Sequence, residues 1–404
     1  MNRGIIPMKL KDLAESLGIT DYPEGAEAVY AALGDDDGLL YSREYLEEIN
    51  QRYGVLSGIY EETMAAASAM EKRPELCLWG RLAVSCLRSS DPELKALPMP
   101  IPDGTAAGDL LALLVVLQQV PSAYQLYRAK GFSHEVAIES LGVIAVSQIA
   151  FAVRFGRFAL DNEGYTWMQY FTEAKIFRYH SLNFQPYKLG NNMMVLRHKG
   201  SGEHRILMLS GRFHRTGRAL GCAGFSDEDG AFDADFCETD EGFRGHVACD
   251  ALVSPAISFF LKDEWESVLR PGDNVIDLHI PRGCDLSAEA VGESLDVGMK
   301  IARSIYPDLD LRGAVCYSWL LDPVLEELLG KDAKISRFMR LFAKFPLRSN
   351  GTSVIARVFP GCAGGRVPVE QYPENSRLQR NLKRHMINGG SLYDTGGVVL
   401  SSIL

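Results

Sequence analysis

No Cys-x-x-Cys pair occurs among the eight cysteines (Cys77, Cys86, Cys222, Cys237, Cys249, Cys284, Cys316 and Cys362), and no His-Glu-x-x-His element among the eight histidines. The first absence argues for reduced thiols in a cytoplasmic protein and against a disulfide framework or zinc site. The two together leave no transition-metal centre to expect. Also missing is any apolar run near the ~20 residues needed to span a bilayer. The longest, Leu110 to Leu117 and Leu141 to Val153, read as buried helices. The opening "MNRGIIPMKLKDLAESLG" carries Lys, Asp and Glu in a helical pattern where a signal peptide needs an unbroken apolar segment, so export by that route is not expected. There is no basic excess either. With 42 Lys and Arg against 52 Asp and Glu, the net charge of -10 argues against nucleic-acid and anionic-membrane partners.

What is present is ordinary globular material: 404 residues, 47% hydrophobic and 23% charged, enough for two domains with separate cores. From about Leu10 to Leu160 apolar residues recur at helical spacing and β-branched alternation is scarce. Asp103-Gly104-Thr105 is a candidate helix start, and Ser133 a candidate N-cap with His134 beside it on the surface. Around "LDNEGY" (Leu160 to Tyr165) the pattern changes to alternating aromatic and β-branched segments. Among these, "NMMVLRHK" and "HRILMLSGRF" flank Gly200 to Gly202 as an antiparallel hairpin. The expected class is therefore α+β, with a helical domain over 1–162 and a mixed-sheet domain over 163–404. The acidic stretch Ser226 to Gly242 lacks the order of a calcium loop and reads as a solvated loop.

The chemistry is concentrated in "NVIDLHIPRGCDLSAEAVGESL", Asn274 to Leu295. Val275 to Ile280 reads as a strand, and Ser287 as the N-cap of a helix carrying Val291, Leu295, Met299 and Ala302 on one face. Gly313 opens a second strand. Strand, helix and strand within about 45 residues predict two parallel, adjacent strands.

Alternation puts Val275, Asp277 and His279 on one face of the first strand. An acid and an imidazole there cost several kcal/mol of desolvation unless they are paired or face a wet cleft. Either arrangement fits the sequence: a staple within the fold, or a cleft in which Asp277 or His279 is a general base. On the second strand, Tyr317 points away from Cys316 and is a candidate general acid. Cys316 is either a packed thiol or a nucleophile activated by His279. The turn "PRGCDLS" lies where open α/β sheets bind ligands, with Arg282 a cation and Gly283 allowing close backbone approach. Asp285 adds a negative charge to the same turn.

These segments, with "RGH" near Gly245, Trp265, "CYSWLLDPVLEELL" and the ending "SRLQRNLKRHMINGGSLYDTGGVVL", resemble a bacterial family of acyltransferase-domain proteins. Its members pair a helical N-terminal domain with a C-terminal domain similar to the GNAT N-acetyltransferases. The resemblance implies that Val275 to Ile280 is the fourth GNAT strand and "AVCYSW" the fifth. Acetyl-CoA or another acyl-CoA would then wedge between them, its thioester against the backbone near Ile280. The pyrophosphate would lie at Arg282, Gly283, Cys284, Asp285 and Ser287, and Asp322 would cap the next helix, with Pro323 at its first position. The GNAT pyrophosphate motif, Gln/Arg-x-x-Gly-x-Gly/Ala, is met here by one arginine and one glycine out of register.

The resemblance implies transfer of an acyl group to a small-molecule or peptide amine, and the strand residues themselves offer Asp277, His279 and Tyr317 as the catalytic groups. His279, helped by Asp277 or a water, would be the base and Tyr317 the acid. A degenerate, non-catalytic binding domain and a Cys316/His279 hydrolase remain as alternatives. The helical half either shapes an acceptor pocket or stabilises a homodimer.

Overall fold

A computed structural model describes residues 8–33, 41–362, 365 and 367–400. The chain forms two compact units, Met1–Arg178 and Tyr179–Leu404.

Among its described residues the first unit is helical up to Phe177 and Arg178, which open the first strand. The N-terminal pattern continues as the helix Leu10–Ser16; residues 1–7 lie outside the described ones. Thr105 caps Ala106–Leu117 by accepting from the Gly108 amide, and everything in that helix from Ala107 onward is buried. Ser133 caps His134–Phe155 through the Val136 amide, and His134 is exposed beside it with Nδ1 2.9 Å from the Tyr124 hydroxyl. Of the stretch expected to be buried, Leu141 to Val153, this helix buries Leu141, Val143, Ile144, Ala145 and Gln148. Its last turns expose Ile149, Val153 and Phe155.

The boundary expected near residue 162 falls later. Asp161 accepts from the Gly164 amide and so caps one more helix, Asn162–Thr172, which buries Tyr165, Met168 and Phe171. A cluster of Asp, Asn, Glu and Gly suits a loop between domains and a helix N-terminus equally well. The three buried aromatic and thioether side chains keep this segment with the helical unit.

The second unit holds most of the strands. In chain order they are β1 (Phe177–Tyr179), β2 (Leu182–Lys188), β3 (Met193–His198), β4 (His204–Met208), β5 (Arg212–Phe213), β6 (Phe232–Asp233) and β7 (Cys237–Glu238). They continue with β8 (Gly242–Cys249), β9 (Leu252–Leu261), β10 (Trp265–Leu269), β11 (Asn274–His279), β12 (Leu311–Ser318), β13 (Ala343–Pro346) and β14 (Thr395–Leu400). One sheet has the order β1-β2-β11-β12-β14-β13 and a second the order β10-β3-β4-β8-β7, with β9 on β8. The hairpin expected around Gly200 to Gly202 is β3 and β4, in antiparallel register.

The two sheets share a core. Val275, Val315, Val398 and Phe345 of the first meet Met193, Val195, Ile206, Met208 and Leu269 of the second. Burying such side chains contributes roughly 1.5–3 kcal/mol each. The opposite face of the first sheet carries the helix Ala288–Ile305, with Val291, Leu295, Met299 and Ala302 buried as its spacing predicts. Gly298 lets the helix close on β2, because a Cβ there would lie 2.1 Å from Cζ of Phe184.

Candidate active site

β11 and β12 are parallel neighbours, joined by the helix Ala288–Ile305. Their ladder ends at Asp277 opposite Val315. Past that pair each strand stays with its outer neighbour only. β11 runs on along β2 to His279 opposite Asn183, and β12 along β14 to Ser318 opposite Thr395. Two parallel strands that part in this way leave a notch at their carboxyl ends, where open α/β sheets take ligands.

The register decides which side chains face that notch. Asp277 opposite Val315 puts Tyr317 on the same face as Asp277 and His279, and Cys316 on the other. Burial pushes Asp277 up to about 7, the carboxylate losing its solvation. The same cause pulls His279 down to about 4. At neutral pH the imidazole is therefore uncharged and the carboxyl is poised for proton transfer. His279 Nε2 lies 3.8 Å from Asp277 Oδ2 and 2.9 Å from Oε1 of Gln185. Tyr317 donates a hydrogen bond of 2.5 Å to Oδ1 of Asn191 and meets Tyr187 edge to face, ring centroids 6.3 Å apart. Burial, with Asp277 adding to it, pushes its hydroxyl pKa up.

Three of the expected site residues thus come together. The thiol of Cys316 does not join them: it is buried, desolvation holds its pKa well above the thiol range, and its face is opposite to that of His279. Gln185 and Asn191 are the partners that sequence reading missed. In β2 the polar side chains Asn183 and Gln185 alternate with Leu182 and Phe184, a signal of the same kind as Asp277 and His279. Asn191 precedes β3 in a turn and carries no such mark.

The turn after β11 is built as a strand-to-helix connection. Ile280 follows the last strand residue, and Arg282 and Gly283 form a turn closed by the Cys284 amide on the Pro281 carbonyl at 3.3 Å, with Gly283 at φ +77. Ser287 caps the helix by accepting from the Ala290 amide. Asp285 accepts from the Ser287 amide at 3.0 Å and its hydroxyl at 2.9 Å, and Lys334 Nζ stands 2.9 Å away. The Lys334 ammonium, followed by the Ser287 donors, lowers the Asp285 carboxyl to about 2. The negative pole that the helix N-terminus attracts is already supplied by Asp285. Asp322, expected to cap the next helix, is fully buried and accepts from the amides of Val324 and Tyr393; that helix begins at Val324, one residue after Pro323.

A cavity of about 610 Å³ is lined in part by Asn191, the partner of Tyr317. Asn191, Ser210, Phe213, Phe345, Arg212 and Arg348 are among its lining residues.

A two-sheet domain with parted parallel strands and a helix following the first of them defines a GNAT-like fold. The chain belongs to the family of the GNAT-like C-terminal domain, whose model matches residues 176–399. Among solved structures, an acyltransferase in complex with decanoyl-CoA and teicoplanin superposes with a TM-score of 0.63 at 19% identity, covering 97% of this chain and 99% of that one. An acyltransferase mutant in complex with octanoyl-CoA gives the same figures. An acyltransferase in complex with decanoyl-CoA matches at 17% identity over the same spans. The fold is thus shared along nearly the whole chain, the helical N-terminal part included. A comparison with curated proteins finds no match.

Proposed function

We propose that this protein is an acyl-CoA-dependent N-acyltransferase acting on an amine acceptor. The observation that carries the reading is Asp277, a carboxyl raised to about 7 by burial at the point where β11 and β12 part. A base is most effective when its pKa lies near the working pH.

The acyl thioester lies in the notch against the β11 backbone near Ile280. Asp277 takes a proton from the attacking amine as its lone pair forms the bond to the carbonyl carbon. The C–S bond then breaks, the CoA thiolate takes a proton from Tyr317, which Asn191 and Tyr187 hold in place, and Tyr317 recovers its proton from the one Asp277 took from the amine. His279, first read as the base, is too weakly basic at about 4. It stays neutral, its Nε2 bonded to Gln185 and 3.8 Å from the Asp277 carboxyl. The CoA pyrophosphate lies at Gly283 to Ser287 with Arg282 beside it. Octanoyl-CoA and decanoyl-CoA, carried by the structures of like fold, are the donors to try first beside acetyl-CoA.

One observation favours a second reading, a non-catalytic binding domain. Asp285 already occupies the amide end of the helix with a carboxylate, where a pyrophosphate would have to compete. Calorimetric titration of CoA, acetyl-CoA, octanoyl-CoA and decanoyl-CoA into the wild type and Arg282→Ala separates the two. The transferase reading expects saturable binding that the substitution weakens. Flat isotherms for all four ligands would leave only the second reading.

A further inference from the structure

The cavity beside Asn191 has an uneven charge lining. Three of its lining residues are charged, Arg212, Glu228 and Arg348. Arg212 is neutralised by Glu228 at 3.1 Å. Arg348 is exposed, and among the described residues no carboxylate stands within ion-pairing distance of its guanidinium. In a chain of net charge -10, a cavity that keeps one uncompensated cation is set against its surroundings.

The position of that cation is specified by the backbone beneath it. Gly221 lies at φ +87, and a Cβ there would come within 3.0 Å of both Nε and one terminal nitrogen of Arg348. The bare glycine backbone lets the guanidinium lie flat over it at the cavity rim. The rest of the lining is what a small organic body needs, with Phe213 and Phe345 as apolar walls and Asn191 and Ser210 as polar points. A volume of about 610 Å³ falls within the usual range of small-molecule sites, roughly 300–1,000 Å³. Asn191 belongs both to this lining and to the hydrogen bond of Tyr317. A molecule held in the cavity is therefore one residue from the proposed proton donor.

We infer that this cavity is the acceptor pocket and that Arg348 receives a carboxylate, so the acceptor is an amine that also bears an acid group. The inference rests on the transferase reading for the word acceptor, and on the cavity alone for the binding of a carboxylate. A guanidinium offers a planar fork of donors that matches a carboxylate in two parallel hydrogen bonds. The amine end then points toward Asn191 and Tyr317, where the acyl group is delivered.

Free amino acids and dipeptides, each beside its C-terminal amide, provide matched probes that differ only in the acid group. They are titrated by calorimetry into the full chain and assayed for thiol release at saturating decanoyl-CoA. The expected result is at least one acid bound roughly tenfold more tightly than its amide. Arg348→Gln brings that ratio to about one without changing amide binding, and Arg348→Lys, which keeps the charge but loses the fork, gives an intermediate ratio. Equal binding of acids and amides, binding of neither, or a preference that survives Arg348→Gln would overturn the assignment. Thiol release without a carboxylate preference overturns the pocket and leaves the transferase. Carboxylate binding in a chain that takes no acyl-CoA overturns the transferase and leaves the pocket.

Discussion

Asp277 Oδ2 and His279 Nε2 stand 3.8 Å apart on one face of β11, and burial moves the two groups in opposite directions, Asp277 up to about 7 and His279 down to about 4. Burial disfavours the charged form of each, so the acid holds its proton longer and the imidazole refuses one. The pair is neutral at mildly acid pH. It becomes a carboxylate beside a neutral imidazole as the pH passes about 7.

Turnover should follow that ionisation. With Asp277 as base, kcat/KM for acyl transfer rises with pH through a midpoint near 7 and shows no inflection from His279 above pH 5. Asp277→Asn should lower kcat by roughly 10²–10⁴ while leaving the Kd for acyl-CoA nearly unchanged. A pH profile that stays intact in Asp277→Asn would remove the assignment.

Stability should respond with the opposite sign. A carboxyl whose folded pKa is raised stabilises the fold fully below its unfolded value near 3.9, and that contribution is lost as pH rises through about 7. Asp277→Asn is therefore expected to raise the unfolding free energy at pH 8 by roughly 1–3 kcal/mol, and to change it little at pH 4. Urea denaturation at the two pH values makes the comparison.

The hydrogen bond between His279 and Gln185 predicts coupling. Each of His279→Ala and Gln185→Ala should cost about 1–3 kcal/mol, because a half-buried polar group loses this hydrogen bond. The double variant should cost less than the sum of the two. Strict additivity in the mutant cycle would show that the contact contributes nothing.

Removing the carboxylate from the turn should ease anion binding there. Asp285→Asn takes a negative charge from the N-terminus of the helix Ala288–Ile305 and releases Lys334. Acyl-CoA affinity is expected to rise roughly two- to tenfold, while Arg282→Ala lowers it by a similar factor. Calorimetry at two salt concentrations tests both. An unchanged Kd in the two variants would place the pyrophosphate elsewhere.

Packing supplies a control on the opposite face of the sheet from Asp277 and His279. Gly298→Ala puts a Cβ into the ring of Phe184, which is fully buried and cannot swing away. The cost expected is about 1–3 kcal/mol, read as a lower Tm. An unchanged Tm would mean that the helix is not seated on β2 as described.

Several of these features were legible in the residues alone, and they are the ones governed by local rules. Alternation assigned Val275, Asp277 and His279 to one face of a strand, and the caps Thr105, Ser133 and Ser287 announced their helices through side chains that reach only three residues ahead. The strand-helix-strand spacing required β11 and β12 to be parallel neighbours. The late boundary between the units was not legible, since Asp161 and its neighbours read as loop and cap at once, and only the burial of Tyr165, Met168 and Phe171 chose between them.

Tertiary structure alone decided which face of β12 meets Asp277. That depends on the register between the two strands, which shifts between Asn274 and Ile276 and brings Asp277 opposite Val315. A shift of one residue would have turned Cys316 toward the imidazole and Tyr317 away. The same long-range placement brought Gln185 and Asn191 to the site across 94 and 126 residues of chain, and fixed how deeply Asp277 is buried. Sequence by itself determined which groups could take part; pairing between distant segments determined which of them met and what burial did to their charge.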